Sequence, residues 1–157
     1  MSQRHPSTSP EIRSMISKRF LGPGFEFWFA DHGHIRSPFP CEIMDSVRKN
    51  TSRVFFEWIS GFRDDEISAL NENELVEMFE TILFNEAIKL VEDEDQRLTI
   101  LYPFLPRSGD RVDDPVNGPG KIVERKAAVS KDQKKTMTLV VAALSGSTWE
   151  TQFELTD

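Results

Sequence analysis

The residues with the most evident chemical potential are adjacent in the segment Asp31-His32-Gly33-His34. Two imidazoles and a carboxylate can bind a divalent metal ion, which would support a small metal-dependent hydrolase. A metal centre takes three or four protein ligands, and the third histidine, His5, lies in a polar N-terminal segment. We therefore expect the histidines to form turns or lie at the surface, and the metal site is kept as an alternative.

The only cysteine, Cys41, could act as a nucleophile with His32 or His34 as its base. No third residue that would orient such a pair is visible, so we expect Cys41 to be a buried structural thiol. A single cysteine cannot form an internal disulfide and is typical of a reducing compartment. The sequence therefore predicts a cytoplasmic protein.

Other binding motifs are incomplete. Gly118-Pro119-Gly120-Lys121 lacks the further glycines and the hydroxyl of a phosphate-binding loop and predicts a turn instead. The acidic runs Asp64–Glu66 and Glu92–Asp95 lack the spacing and the glycine of a calcium-binding loop. The sequence thus predicts no catalytic residue, no metal and no cofactor.

Charge is unevenly distributed along the chain, whose net charge is −7. Residues 63–100 hold 12 acidic and 3 basic side chains, while a basic strip follows at Lys121, Arg125, Lys126, Lys131, Lys134 and Lys135. The strip could serve a nucleic-acid accessory factor, but aromatic residues that stack on bases are missing from it. A protein partner or a second copy of the chain is expected, and nucleic acid is not.

The first half of the chain predicts helices and one short strand. Ser9-Pro10-Glu11 is typical of a helix start, Gly22-Pro23-Gly24 of its end, and the aromatic run Phe25–Phe29 favours a short buried strand. Residues 31–40, with their glycine and prolines, predict an ordered loop.

Apolar periodicity then predicts further helices. Residues 41–62 form two helices or one kinked helix, because Asn50-Thr51-Ser52 is typical of a stop and a new cap. The clearest period predicts a helix over 72–91, ended by Glu92–Asp95. Residues 98–105 contain Pro103 and are expected to be an extended linker.

The last third of the chain predicts a β-meander. Its strands are expected at 111–112, 121–129, 137–144 and 149–155, separated by turn residues. In the last run Trp149, Thr151, Phe153 and Leu155 alternate with polar residues, as a half-buried strand requires. The fold class is therefore α+β, with a flexible tail at 1–10, a mainly helical domain at 11–108 and a small β-barrel or meander at 109–157.

Gly109-Asp110-Arg111-Val112, followed by Pro115 and Gly118-Pro119-Gly120-Lys121, resembles the opening of small SH3-like, Tudor-type barrels such as those at the C-terminus of UvrD-type helicases. The resemblance covers residues 109–157. It implies a module that binds a partner, commonly a protein, along its strand edges and loops. The residues expected to contact this partner are Asp113, Pro115, Asn117, Pro119 and Trp149.

The sequence as a whole favours a non-enzymatic interaction or adaptor protein. Its 157 residues suffice for one core and a small second unit, and no apolar run is long enough to span a bilayer. The metal-dependent hydrolase built on Asp31, His32 and His34, and the nucleic-acid factor built on residues 121–135, remain the alternatives.

Overall fold

The computed structural model describes residues 8–155, which divide into two compact units with the boundary along the chain between Pro103 and Phe104. The first unit is helical and the second is an antiparallel sheet, which confirms the predicted α+β class. The α-helices of the described residues are α1 (Pro10–Ile16), α2 (Gly22–Trp28), α3 (Met44–Ile59), α4 (Asp64–Ala69), α5 (Glu72–Leu90) and α6 (Glu94–Leu101). The strands are β1 (Arg111–Asp114), β2 (Gly118–Val129), β3 (Lys135–Ala143) and β4 (Thr148–Glu154).

The first helix begins as predicted and does not end where predicted. Ser9 accepts a hydrogen bond from the Ile12 amide and Pro10 opens α1, while residues 1–7 of the predicted tail lie outside the described part. A π-helical turn, Ser17–Leu21, then leads directly into α2. The predicted stop at Gly22-Pro23-Gly24 is wrong, because the chain stays helical through these three residues, with Pro23 in the first turn of α2 directly after the π-helical turn.

The predicted short strand at Phe25–Phe29 is also wrong, because α2 continues to Trp28. Phe25 and Trp28, three residues apart, are both buried, whereas Phe27 between them is 39% exposed. This burial follows the period of a helix, and five consecutive aromatic or acidic residues do not distinguish that period from a strand's. The loop predicted after it is present: residues 31–40 contain only an isolated bridge between His32 and Ile35.

A single helix, α3, runs through the predicted interruption at Asn50-Thr51-Ser52. Its buried stripe consists of Val47, Thr51, Phe55 and Ile59, each four residues after the last. Thr51 therefore packs in the core as an apolar residue would. Its hydroxyl has no hydrogen-bond partner among the described residues.

The helical core forms between α3 and α5, and the Phe25 ring of α2 contacts Phe79 of α5 and Arg48 of α3. α5 matches the predicted helix over 72–91, and Asn71 caps it by accepting from the Glu74 amide. Its buried face includes Leu75, Phe79 and Leu83. Burial of these residues removes apolar surface from water, which is the main force that holds the unit together.

The predicted extended linker at 98–105 is partly wrong, because α6 covers Glu94–Leu101. The acidic run does end α5, but it also begins α6: Asp93 accepts hydrogen bonds from the amides of Asp95 and Gln96. Negative charge is favourable at this N-terminus. An Asp cap with glutamine three residues later is a recognisable start signal for a helix, and Pro103 lies beyond the end of α6.

The second unit is the predicted meander, with strand order β1-β2-β3-β4 and every neighbouring pair antiparallel. The sheet curls into a half-barrel. One face is buried and carries Ile122, Met137, Leu139 and Val141. Trp149 pairs with Val141 and Phe153 with Met137, so the alternating residues of β4 lie on the buried face as predicted.

Candidate interaction site on the C-terminal sheet

The exposed face of the sheet carries a cleft of about 230 Å³ beside the β1–β2 connection. Its lining comes from β1, β2 and the turn after β3, namely Arg111, Asp113, Pro119, Gly120, Lys121 and Leu144. Asp113 and Pro119 were predicted as partner-binding residues, and they are direct neighbours across the strands. The two strands and one turn therefore bring charged and apolar groups together in one concavity.

The β1–β2 connection is held by Asp114. Its Oδ1 accepts hydrogen bonds from the amides of Val116 at 2.8 Å and Asn117 at 2.9 Å, and from the Asn117 side chain at 3.4 Å. The amide N–H of Asn117, and next that of Val116, lower the pKa of Asp114 below its ordinary value. Pro115 and Asn117, both predicted to contact a partner, thus belong to a turn whose conformation is fixed by its own hydrogen bonds.

Two glycines shape the wall of the cleft. Gly118, at the end of the connection, has φ +77°, a left-handed conformation that is strained for other residues. Gly120 is buried against β3: a Cβ there would lie 2.7 Å from the Ala142 carbonyl oxygen and 2.8 Å from Val141 Cγ1. Gly118 therefore permits the left-handed turn, and Gly120 lets β2 lie against β3 behind the cleft.

The charges of the cleft are not neutralised within the sheet. Arg111 and Lys121 are directly opposite each other on β1 and β2, and like charges in such a pair repel. Asp113 lies two residues along β1 on the same face. None of these three side chains forms an ion pair with another residue of the described part of the chain.

The apolar edge of the cleft is formed by Leu144, whose side chain is 80% exposed. Its amide donates to the Pro119 carbonyl oxygen at 3.1 Å, which ties the end of β3 to β2. In the neighbouring connection, Val116 is 90% exposed. Exposed apolar side chains of this size can contribute to a surface that contacts other molecules.

Trp149, the fifth predicted partner-binding residue, lies on the opposite, buried face of the sheet. It is half-buried opposite Val141, and its indole Nε1 is buried without a hydrogen-bond partner among residues 8–155. The structure thus brings Asp113 and Pro119 into the cleft, places Pro115 and Asn117 in the adjoining turn, and separates Trp149 from them. Their role in binding stays a prediction.

The Asp-His-Gly-His segment is organised by contacts within its own loop and with α2. Asp31 Oδ1 accepts from the Ser37 amide at 2.8 Å, and the His32 backbone pairs with Ile35. The His32 ring stacks on Phe27, and its Nε2 lies 3.3 Å from the Glu26 carbonyl oxygen. Within residues 8–155, no three His, Cys, Asp or Glu side chains come close enough together to hold a metal ion.

Cys41 is exposed, so the expectation of a buried structural thiol is wrong. It begins a short 3₁₀ turn, Cys41–Ile43, that precedes α3. At this position the side chain projects from the start of a helical segment, where burial is not required.

The basic strip is less accessible than its sequence suggests. Arg125 is only 5% exposed and donates a hydrogen bond from Nη1 to the Pro106 carbonyl oxygen at 2.9 Å. Lys126 Nζ lies 3.4 Å from Glu124 Oε1. The register shift between Ile122 and Glu124 turns Arg125 to the buried face, which sequence alternation alone would not reveal.

Comparisons of the chain with models of protein families, with curated proteins and with solved structures found no match. Among the described residues, every helix is too short or too polar to cross a membrane.

Proposed function

We propose that this chain is a non-enzymatic interaction protein whose C-terminal sheet binds a segment of a partner protein in the cleft beside the β1–β2 connection. The sheet would act as a small SH3-like module of the Tudor type, presented by the helical unit in the cytoplasm. The observation that carries this proposal is the cleft itself, where unneutralised charges lie next to the 80% exposed Leu144.

The chemistry of the cleft favours a partner segment with a carboxylate next to an apolar side chain. An anionic group placed between Arg111 and Lys121 would relieve the repulsion of that cross-strand pair. An apolar side chain would contact Leu144 and Pro119 and remove their surface from water. Asp113 adds selectivity, because its negative charge repels a partner segment that places a second acidic side chain next to it.

Hydrogen bonds on two sides of the cleft hold its backbone in place, which supports specific binding. Asp114 fixes the connection, and the Leu144 amide fixes the far side, so little order has to be gained when a partner binds. Such preorganisation lowers the entropic cost of association.

Affinity capture with the purified full chain tests the proposal. The wild type and the variants Leu144→Glu and Lys121→Glu are immobilised, and bound proteins from an extract of the native host are compared by quantitative mass spectrometry. We expect a defined protein to be captured by the wild type and its recovery to fall by about tenfold or more in both variants.

Val129→Glu is the matched control, because Val129 is also an exposed apolar residue, at the far end of β2 and outside the cleft. It should retain the captured protein. If all variants retain it equally, binding uses another surface, and if it proves to be a second copy of the chain, the partner is the chain itself.

A further inference from the structure

The helical unit carries a second cleft, of about 240 Å³, between α2 with its preceding π-helical turn and α5. Aromatic and aliphatic side chains dominate its lining, which includes Phe20, Gly24, Phe27, Val76, Phe79 and Glu80. Two of the exposed large apolar residues of the unit, Phe27 and Val76, lie at this cleft.

The cleft depends on a close approach between α2 and α5. A Cβ on Gly24 would lie 2.4 Å from Phe79 Cε1, so the missing side chain is what allows the Phe79 ring to lie against α2. Phe27 is held in place on the other side by its stacking on the His32 ring, at 5.4 Å between centroids. The aromatic walls are therefore positioned before any ligand binds.

One acidic group, Glu80, faces this apolar surrounding. It is half-buried and forms neither a hydrogen bond nor an ion pair with another residue within 8–155. Burial, and then the neighbouring Glu77 carboxylate, raise the pKa of Glu80. The lining cation, Arg19, is already engaged, since its Nη2 lies 2.9 Å from Glu72 Oε1.

A carboxylate beside aromatic faces is a combination that selects cations with an apolar body. The faces of aromatic rings attract positive charge, and their surface also buries hydrocarbon. A cation next to Glu80 would supply the counter-charge that the fold does not provide. Arg19 is a cation of the lining itself, but its guanidinium pairs with Glu72 and not with Glu80.

We propose that this cleft binds a small organic amine in its ammonium form, with the nitrogen at the Glu80 carboxylate and the carbon skeleton against Phe20, Phe27 and Phe79. The volume, about 240 Å³, is below the range of about 300–1,000 Å³ typical of drug-sized ligands, which favours a small molecule over a folded partner. This site lies in the other unit from the partner-binding cleft and does not depend on the proposed function.

Titration of the full chain with phenethylammonium chloride, followed by NMR of the backbone amides, tests this proposal. The uncharged 2-phenylethanol, with the same carbon skeleton, is titrated in parallel at pH 7. We expect the amides of Gly24, Phe27 and Val76 to shift, and the amine to bind about five- to tenfold more tightly than the alcohol.

The variant Glu80→Gln should lose most of the amine's advantage over the alcohol, whereas Glu77→Gln, which alters an exposed acid outside the lining, should change the amine's affinity by less than about twofold. Because the pKa of Glu80 is raised, the stability of the fold falls as the pH rises from the ordinary carboxyl value to the folded pKa, and the ionised group is unfavourable above it. Glu80→Gln, which carries no charge, is therefore expected to fold. Phe27→Ala, at an exposed position, should weaken both ligands alike.

The proposal is overturned if the amine and the alcohol bind the wild type equally, or if neither shifts these amides at concentrations up to about 10 mM. An equal loss of amine affinity in Glu77→Gln and Glu80→Gln would also overturn it, because the general negative charge of α5 would then explain the binding.

Discussion

Asp114 shows how one carboxylate can define a turn. Three hydrogen bonds from Val116 and Asn117 reach its Oδ1, and the backbone N–H of Asn117 has the largest effect on its pKa. We expect NMR titration of the side-chain carboxyl to give a pKa below the ordinary value of about 3.9. A lowered pKa means that the ionised form stabilises the folded turn, so this contribution is present above the ordinary value and is lost as the pH falls through the folded pKa.

Two variants separate the bonds to Asp114. Asn117→Ala removes only the side-chain bond, so most of the lowering should remain, since the two backbone donors are kept. In Asp114→Asn, the amide shifts of Val116 and Asn117 should no longer change between about pH 2 and pH 4. A carboxyl titration at or above about 3.9 in the wild type would contradict the assigned role.

Individual residues were the least predictable part of the fold. Thr51, between Asn50 and Ser52, has the composition of a helix boundary, yet it occupies a buried position of α3 four residues from both Val47 and Phe55. The packing of a long stripe outweighed the local preference of three residues. Cys41 is the opposite case, since a residue type that is commonly buried lies exposed at the start of a helical segment.

The candidate site was predictable only in part, for a similar reason. The resemblance to SH3-like barrels is what named Asp113 and Pro119 in advance, and both lie in the cleft lining. Arg111 and Lys121 join the site through the register of β1 on β2, and Leu144 through its hydrogen bond to Pro119. These are long-range pairings, which the sequence does not specify without the structure.

Among the elements, long periodic segments were predicted well and short aromatic ones were not. The helix over 72–91 and the strand at the C-terminus contain enough repeats to fix their period. Phe25–Phe29 contains too few, and its helical state depends on Phe25 and Trp28 packing against the core, Phe25 on Phe79 and Trp28 on Phe84. Tertiary contact, not local preference, decided that segment.

The pairing of β2 with β3 depends on Gly120, which leads to a stability prediction. In Gly120→Ala the new Cβ would collide with the Ala142 carbonyl oxygen, and neither backbone can move freely within the sheet. We expect a loss of about 2 kcal/mol in the free energy of unfolding, measured by urea denaturation.

Gly118→Ala is the matched control, because position 118 is open space and the cost there comes from φ +77° alone. A loss of about 1 kcal/mol is expected for that strain. If Gly118→Ala were as costly as Gly120→Ala, or costlier, the close approach of β3 would not be the dominant constraint on β2.

The two units differ in the ligand chemistry that they favour. Residues 63–100 carry 12 acidic and 3 basic side chains, and the cleft of the helical unit has Glu80 in its lining. The cleft of the sheet instead pairs Arg111 with Lys121 beside an apolar edge. The proposed carboxylate-bearing segment and organic cation would therefore each favour a different cleft.

This charge distribution also predicts weak binding of nucleic acid. The chain has a net charge of −7, Arg125 is buried, and Lys126 lies close to Glu124. A labelled 20-nucleotide single strand and the matching duplex should show no binding by fluorescence anisotropy at about 150 mM NaCl. At low salt, the slope of any residual affinity against salt concentration should correspond to no more than the few phosphate contacts that the exposed lysines provide.

The variant Lys131→Glu/Lys134→Glu isolates the tip of the basic strip, where both lysines are exposed. It should behave like the wild type at about 150 mM NaCl, because neither protein binds there. Tight binding by the wild type, with a steep salt dependence that this variant abolishes, would instead identify the strip as a phosphate-binding surface. The absence of such binding would favour the proposed protein segment, in which a carboxylate next to an apolar side chain matches Lys121 and Leu144 of the cleft.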